Sequence, residues 1–250
     1  MTSSAREAIK WLAVVFMTCD HVAKVLLGGY VPVLTEVGRL AFPLFALVMA
    51  YNLAQPGADV CKSVRRLLVW ALVAQPVHAL AFGYWLPLNV LFSFVAAALV
   101  IWTINSRRWL LMVLAVLVPP AFVDYDWWGL AFVVLSWLGF VRRDRRLFVL
   151  AFAAICVFNG NLWALLALPV FWLCHRDWNV PRTRWAFYGY YVGHLALLAV
   201  LSNAMQMIDV LGFVGVLVAG GILAFAAGMA WRVWTVRRDL RRYDEGKREF

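Results

Sequence analysis

A chain of 250 residues that is 65% hydrophobic and only 14% charged, with a mean hydropathy of +0.80, leaves no stretch with the make-up of a soluble domain and reads as an integral membrane protein. Its net charge of +10 is spread over the connectors between apolar runs rather than gathered in one patch. That pattern excludes a nucleic-acid surface and fits a membrane topology signal facing anionic lipid.

A bilayer core takes roughly 20 apolar residues per helix. Apolar runs bounded by charge or turn residues predict spans at Ile9 to Leu27, Val37 to Ala54, Val64 to Phe82, Leu88 to Ile104, Trp109 to Val123, Trp127 to Val141, Leu147 to Phe158, Leu162 to Cys174, Trp185 to Met205 and Val210 to Trp234. The first run carries Asp20 and His21, is too long for a leader h-region and lacks a small-x-small cleavage site, so it is expected to persist as a helix. Breakers punctuate the connectors: Gly28-Gly29, Gln55-Pro56-Gly57, Gly83, Asn159-Gly160-Asn161 and Pro181.

Basic residues fall in every second connector, at Arg6 and Lys10, Lys62 to Arg66, Arg107 and Arg108, Arg142 to Arg146, Arg176 to Arg184, and from Arg232 onward, while the alternate connectors hold Glu36, Asp124, Asp126 and Asp209. By the positive-inside rule both termini are cytoplasmic. The expected architecture is an all-α polytopic membrane bundle, residues 1–234, followed by a basic cytoplasmic tail, 235–250. Charge parity gives ten spans. Length gives eight full spans, because Leu147 to Phe158 and Leu162 to Cys174 are each only about 20 Å long and suit a short re-entrant pair. Cys19, Cys61, Cys156 and Cys174 show neither disulfide nor zinc spacing.

Two basic residues, Lys24 and Arg39, are left over by this topology, and they fall in or at the ends of spans with Asp20, His21, Gln75, His78, Asn89, Tyr191 and His194. Ionisable groups at such depth are costly and by default face a bundle interior or cavity. Each has a structural reading. Asp20 and Lys24 are i,i+4 and can neutralise each other, Gln75-Pro76 can be a kink with a polar patch, His78 a hydrogen-bonded filler, Arg39 a snorkelling side chain, and Tyr191 an interfacial aromatic. Their shared depth, with Asp124 in the outer connector nearby, predicts a polar cavity open to the outer side. Histidine suits proton transfer near neutral pH, arginine or asparagine can hold an oxyanion, and an acid on another helix can fix a histidine tautomer, a set that fits acyl transfer. A proton-coupled transporter would draw on the same residue types, and a metal site from His21, His78 and His194 would lack any ligand pair at i,i+4. Within TCDHVAK, Asp20 pairs with Lys24 or Arg39, and His21 is turned about 100° away toward the cavity.

DHVAKVLL, VGRLAFPLFALVMAYNL, LLVWALVAQPVH, PLNVLFSF, DYDWWGLAFV and FYGYYVGHLALL, in that order along the chain, resemble the TraX family, the F-pilin N-acetylases of conjugative plasmids. The resemblance implies transfer of an acetyl group from acetyl-CoA to the N-terminal amine of a processed pilin subunit, without a metal. It places the family's motif positions at Asp20, His21, Arg39, Asn89, Asp124 and His194. On that reading His21 is the general base, Arg39 and Asn89 bind the oxyanion or the acceptor, Gln75, His78, Asp124 and Tyr191 line the substrate site, and Arg65, Arg66, Arg107 and Arg108, with the Arg142 to Arg146 cluster, hold the CoA phosphates. Val192-Gly193 stands where relatives often carry proline before the histidine. A transporter and a non-catalytic component of pilus or secretion assembly are the rival expectations.

Overall fold

The computed structural model describes residues 1–173, 180, 182–183 and 185–246, and among these every regular element is helical. Cys174, Arg176, Pro181, Arg184 and the end of the basic tail, 247–250, lie outside the described residues. Contacts divide the chain into two units, Met1–Ser202 and Asn203–Phe250.

In the first unit, α1 (Ser3–Leu26) starts at Thr2, whose hydroxyl accepts from Ala5 N–H. The predicted second span is broken at Arg39-Leu40 into α2 (Leu34–Gly38) and α3 (Ala41–Leu53), and Pro43 sits in the first turn of α3, where an N–H has no intrahelical partner to lose. α4 (Val60–Phe82) is capped by Asp59 and closed by Gly83 in the left-handed conformation. Asn89 caps α5 (Val90–Asn105). α6 (Trp109–Leu117) runs into a 3₁₀ turn, Pro119–Phe122, which leads to α7 (Asp126–Arg142) and then α8 (Arg145–Asn159). A second 3₁₀ turn, Trp163–Leu166, precedes α9 (Ala167–Leu173).

The last helix, α10 (Ala186–Gly246), corrects the sequence reading: the expected connector between Met205 and Val210 is helical. Gln206, Met207, Ile208 and Asp209 include neither glycine nor proline, so nothing there stops a helix. Two helical stretches, Leu34–Leu53 and Ala186–Arg232, are long and apolar enough to cross a membrane, and Val90–Asn105, Trp109–Phe122 and Trp163–Leu173 are apolar but shorter. These are fewer than the ten predicted runs because α1 carries Arg6, Glu7, Lys10, Asp20 and Lys24 along its length, α4 carries Lys62, Arg65 and Arg66, and α5, α6, α7, α8 and α9 are short.

Packing in the first unit is built outward from α1. It lies against α2 and α3, α3 against α7, α7 against α8, and α5 joins α4, α6 and α7. The closest approach is at Gly38, where a Cβ would overlap the Cβ of Asp20, so only glycine lets α2 cross α1 at that level. Leu44, Leu47, Ile101, Phe132 and Ile155 fill the core between these helices. In the second unit, the described large apolar side chains from Met205 to Trp234 are exposed.

Candidate active site

A cavity of about 960 Å³ follows one face of α1, from Ser3, Arg6 and Lys10 through Val14 and Met17 to Asp20, His21 and Lys24. This is helical i,i+3/i+4 spacing, and the Ser3-to-Lys24 face is about 32 Å long at 1.5 Å per residue. Charge sits at both ends. The middle is apolar, walled by Phe45, Val48, Met49, Leu67 and Phe94.

At the His21 end, α1 meets α10. His21 Nδ1 lies 2.8 Å from His194 Nε2, with ring planes 9° apart and centroids 5.0 Å apart. A 2.8 Å nitrogen contact is too short for face-to-face rings, so the imidazoles meet edge to edge, with the lone pair of one in line with the N–H of the other. His194 Nδ1 is 2.9 Å from the Tyr190 carbonyl, which can only accept, so that nitrogen is the donor. A neutral His194 then accepts at Nε2, His21 donates from Nδ1, and the remaining His21 nitrogen, Nε2, carries a free lone pair. One turn below, Thr18 Oγ1 donates to the Val14 carbonyl at 2.8 Å and accepts from the Tyr190 hydroxyl at 2.8 Å, which holds Tyr190 in register. His21 lines the cavity, whereas His194 does not. The sequence reading gave the tautomer-fixing role to an acid; here a second histidine and a backbone carbonyl fill it.

Asp20 pairs with Lys24, Oδ2 to Nζ at 2.6 Å, rather than with Arg39. Both partners also border the cavity, so the pair is not confined to a separate face from His21. His78, 5% exposed, lines the same end, its ring against Phe82 and Tyr84, and among the described residues its Nδ1 has no hydrogen-bond partner. Tyr191 lines it too, its ring 6.4 Å from that of His21. Asp124 arrives from the connector before α7, fixed by its backbone: its N–H donates to the Leu88 carbonyl at 2.9 Å, and its carbonyl accepts from the Ser93 hydroxyl. Burial pushes the Asp124 carboxyl above the ordinary carboxylate range, with Lys24 pulling the other way.

Other expected site residues lie elsewhere. Asn89 is fully buried and spends its side chain on structure: Nδ2 donates to the Ala71 carbonyl at 3.0 Å and to Gln75 Oε1 at 2.8 Å, and Oδ1 accepts from Leu91 N–H. Gln75 also accepts from Asn89 N–H at 2.9 Å and donates to the Trp85 carbonyl at 2.9 Å. Arg39 donates to Asn159 Oδ1 at 3.2 Å and does not line the cavity. Of the expected phosphate-binding arginines, only Arg66 lines it. Arg65 is on the next face of α4, and Arg107 and Arg108 are at the α5–α6 junction, Arg108 over the Trp102 ring. Arg6, Lys10, Lys62 and Arg182, read from sequence only as topology charges, border the cavity instead. Asp59, Lys62, Ser63 and Arg66 recur at i, i+3, i+4 and i+7, the one sequence signal that marks this face of α4.

The sequence profile of the TraX protein family matches residues 5–202, the first unit almost to the residue. The chain belongs to the TraX family. A Protein TraX of Escherichia coli is 30% identical over 217 residues, covering 79% of this chain and 87% of that one. Protein TraX of Escherichia coli strain K12 is 31% identical over 145 residues, 56% of this chain and 58% of its own length. No solved structure matches. Apart from Ser3, the residues that line the cavity lie within the part of the chain that carries the family likeness.

Proposed function

We propose that this TraX-family chain is a membrane acyltransferase that moves an acetyl group from acetyl-CoA to a primary amine, the N-terminus of a processed pilin subunit, with His21 as general base. The observation that carries this is a single cavity with a cationic end, an apolar middle and, at the other end, a histidine whose lone pair is left free by its own hydrogen bonds. Lys10 and His21 are about 16 Å apart along α1, a distance for a flexible neutral arm and not for a charged head. A volume of 960 Å³ is at the upper end of small-molecule sites. The cationic end faces the cytoplasm on this reading, in keeping with the positive-inside rule, and the acceptor reaches His21 from the opposite side. The helices of the first unit then sit in the inner membrane as a multi-pass bundle.

In the reaction, the amine nitrogen attacks the thioester carbonyl carbon. A C–N bond forms, the C–S bond breaks with its electron pair going to sulfur, and His21 Nε2 takes the proton from nitrogen and passes it to the departing thiolate. His194 holds the His21 tautomer without touching substrate. Arg39 and Asn89 are committed to other partners, so His78, whose Nδ1 is unpaired at the cavity, is the better donor to the developing oxyanion.

The test is purified protein with acetyl-CoA and a peptide bearing the mature pilin N-terminus, following thiol release and peptide mass together. Equal thiol and acetyl-peptide, both lost in His21→Ala, is the expected result; absence of acetyl-peptide from wild type rejects the reading. The same end-to-end cavity would serve a proton-coupled carrier. That alternative predicts His21-dependent solute uptake into vesicles with no consumption of acetyl-CoA.

A further inference from the structure

Three rings meet at the end of the cavity that holds the histidines. Phe82, the last residue of α4, stands edge to face with His21, ring centroids 5.3 Å apart and planes 86° apart. It also lies 4.7 Å from the ring of His78, one helical turn before it on the same face of α4. All three side chains line the cavity. Tyr191 approaches His21 at 6.4 Å and Tyr84 approaches His78 at 5.6 Å, so among the described rings Phe82 is the one in contact with both histidines.

Phe82 is also held in place. Gly83 N–H donates to the Ala79 carbonyl at 2.9 Å in the left-handed turn that ends α4, and the Trp85 carbonyl just beyond accepts from Gln75 Nε2 at 2.9 Å. The Tyr84 ring stands 5.8 Å from that of Phe82. The pair formed by Gln75 and Asn89 therefore anchors the chain that follows this ring. A ring packed on two neighbours, on a backbone fixed at both sides, yields little to an added carbon, because overpacking forces side chains off their rotamers.

We infer that Phe82 sets the length of the acyl group this chain transfers, an assignment that rests on the acyl-transfer reading. A thioester carbonyl placed between the base nitrogen of His21 and the oxyanion donor of His78 carries its substituent into the space that these two rings bound, and Phe82 packs against both of them. A methyl group lies against the ring, whereas each further methylene has to displace it. Lengthening toward the Asp20–Lys24 pair or Asp124, which border the same end, would strip water from charge. Phe82 touches none of the reacting atoms: the bonds made and broken stay the same, and only the group that fits beside them changes.

The experiment gives the full chain in nanodiscs an equimolar mixture of acetyl-CoA and butyryl-CoA with a peptide bearing a free N-terminal amine, and follows the loss of each donor together with the peptide mass. The ratio of the two rates in one vessel is the ratio of kcat/KM values, and it does not depend on how much of a variant is folded. Wild type is expected to favour acetyl on the order of 10²-fold, each added methylene costing on the order of tenfold. Phe82→Ala should cut that preference on the order of tenfold and Phe82→Leu by less. Phe148→Ala, which removes the same ring from its contact with Phe140 away from the cavity, should leave it unchanged. A ratio unmoved by Phe82→Ala, an equal shift in Phe148→Ala, or wild type that takes butyryl as readily as acetyl overturns the assignment and leaves acyl transfer standing. Wild type that consumes neither donor removes acyl transfer and the assignment with it. A ratio that depends on Phe82 while the peptide stays unmodified keeps the assignment and removes the amine acceptor.

Discussion

Two clusters of polar side chains, half-buried His21 with buried His194 and buried Gln75 with Asn89, stand among apolar helices and look equally out of place in the sequence. They differ in what their hydrogen bonds leave over. Gln75 and Asn89 exchange bonds with each other and spend the rest on the carbonyls of Ala71 and Trp85 and the Leu91 N–H, so the bracket between α4 and α5 is closed. The histidines form a one-way chain from His21 Nδ1 through His194 to the Tyr190 carbonyl, and the chain does not use the Nε2 of His21, a residue that lines the cavity. A closed cluster stabilises two helices, whereas an open one keeps a group available for chemistry. Residual hydrogen-bonding capacity, rather than polarity or depth, is what separates the two readings of an ionisable residue in an apolar run.

The contrast breaks most visibly at His21. His21→Asn keeps size and polarity but cannot take a proton near neutral pH, so turnover should fall on the order of 10² to 10⁴-fold while membrane abundance stays near wild type. Acetyl-peptide formation measured per milligram of folded protein checks it, and an active Asn variant would make His21 another closed-cluster residue.

Asn89→Ala should do the opposite. It removes the side-chain bonds to Gln75 Oε1 and the Ala71 carbonyl and leaves the Leu91 N–H without its acceptor at the head of α5, next to a fully buried position, at about 1–3 kcal/mol for that unsatisfied group, while Gln75 Oε1 keeps the backbone N–H of residue 89. Thermal unfolding in detergent should show the loss, with kcat of the surviving folded fraction unchanged. A kcat defect at wild-type stability would return Asn89 to the oxyanion role that its position at the head of α5 suggests.

His194 lies between these cases. His194→Phe keeps ring volume and removes the acceptor for His21 Nδ1–H, which should cost about tenfold to a hundredfold in kcat, with the pH profile displaced because the His21 tautomer is no longer held. His194→Gln, whose amide oxygen can accept the same proton, should recover much of it. If Phe and Gln behave alike, the partner contributes packing only.

Much of the fold could be read from apolar runs and caps: Asp59 and Gly83 bound α4, and Asp144 and Gly160 bound α8, as local turn chemistry predicts. The end of the ninth run could not, because the expected connector between Met205 and Val210 rested on the charge of Asp209, and a charge marks topology without breaking a helix. At the site, the singular residues of α1 stood out by depth, but the partnership of His21 with His194, 173 residues apart, is a tertiary fact that no local pattern encodes. Arg65 and Arg66 show the same limit. They are equivalent as topology charges, and only the 100° step between helical neighbours, combined with knowing which face of α4 meets α1, distinguishes the one at the cavity.

The smallest expected effect concerns Asp124, whose backbone is fixed by Leu88 and Ser93 but whose carboxyl borders the cavity. Burial raises its proton affinity in the folded state, so the folded chain binds this proton more tightly than the unfolded chain does. The associated stability is fully present below the ordinary carboxylate pKa and is lost as pH rises through the raised folded value. Asp124→Asn keeps both backbone bonds and removes only the ionisation, so its unfolding midpoint should exceed that of wild type at about pH 7, and the gain should shrink toward zero at about pH 4. Lys24 opposes part of the effect, so the gain from Asp124→Asn at about pH 7 should be larger in a Lys24→Gln background than in wild type if that lysine reaches Asp124 as well as Asp20. A gain that is flat with pH would mean that the asparagine acts through new hydrogen bonds, placing Asp124 with the closed cluster instead of the open one.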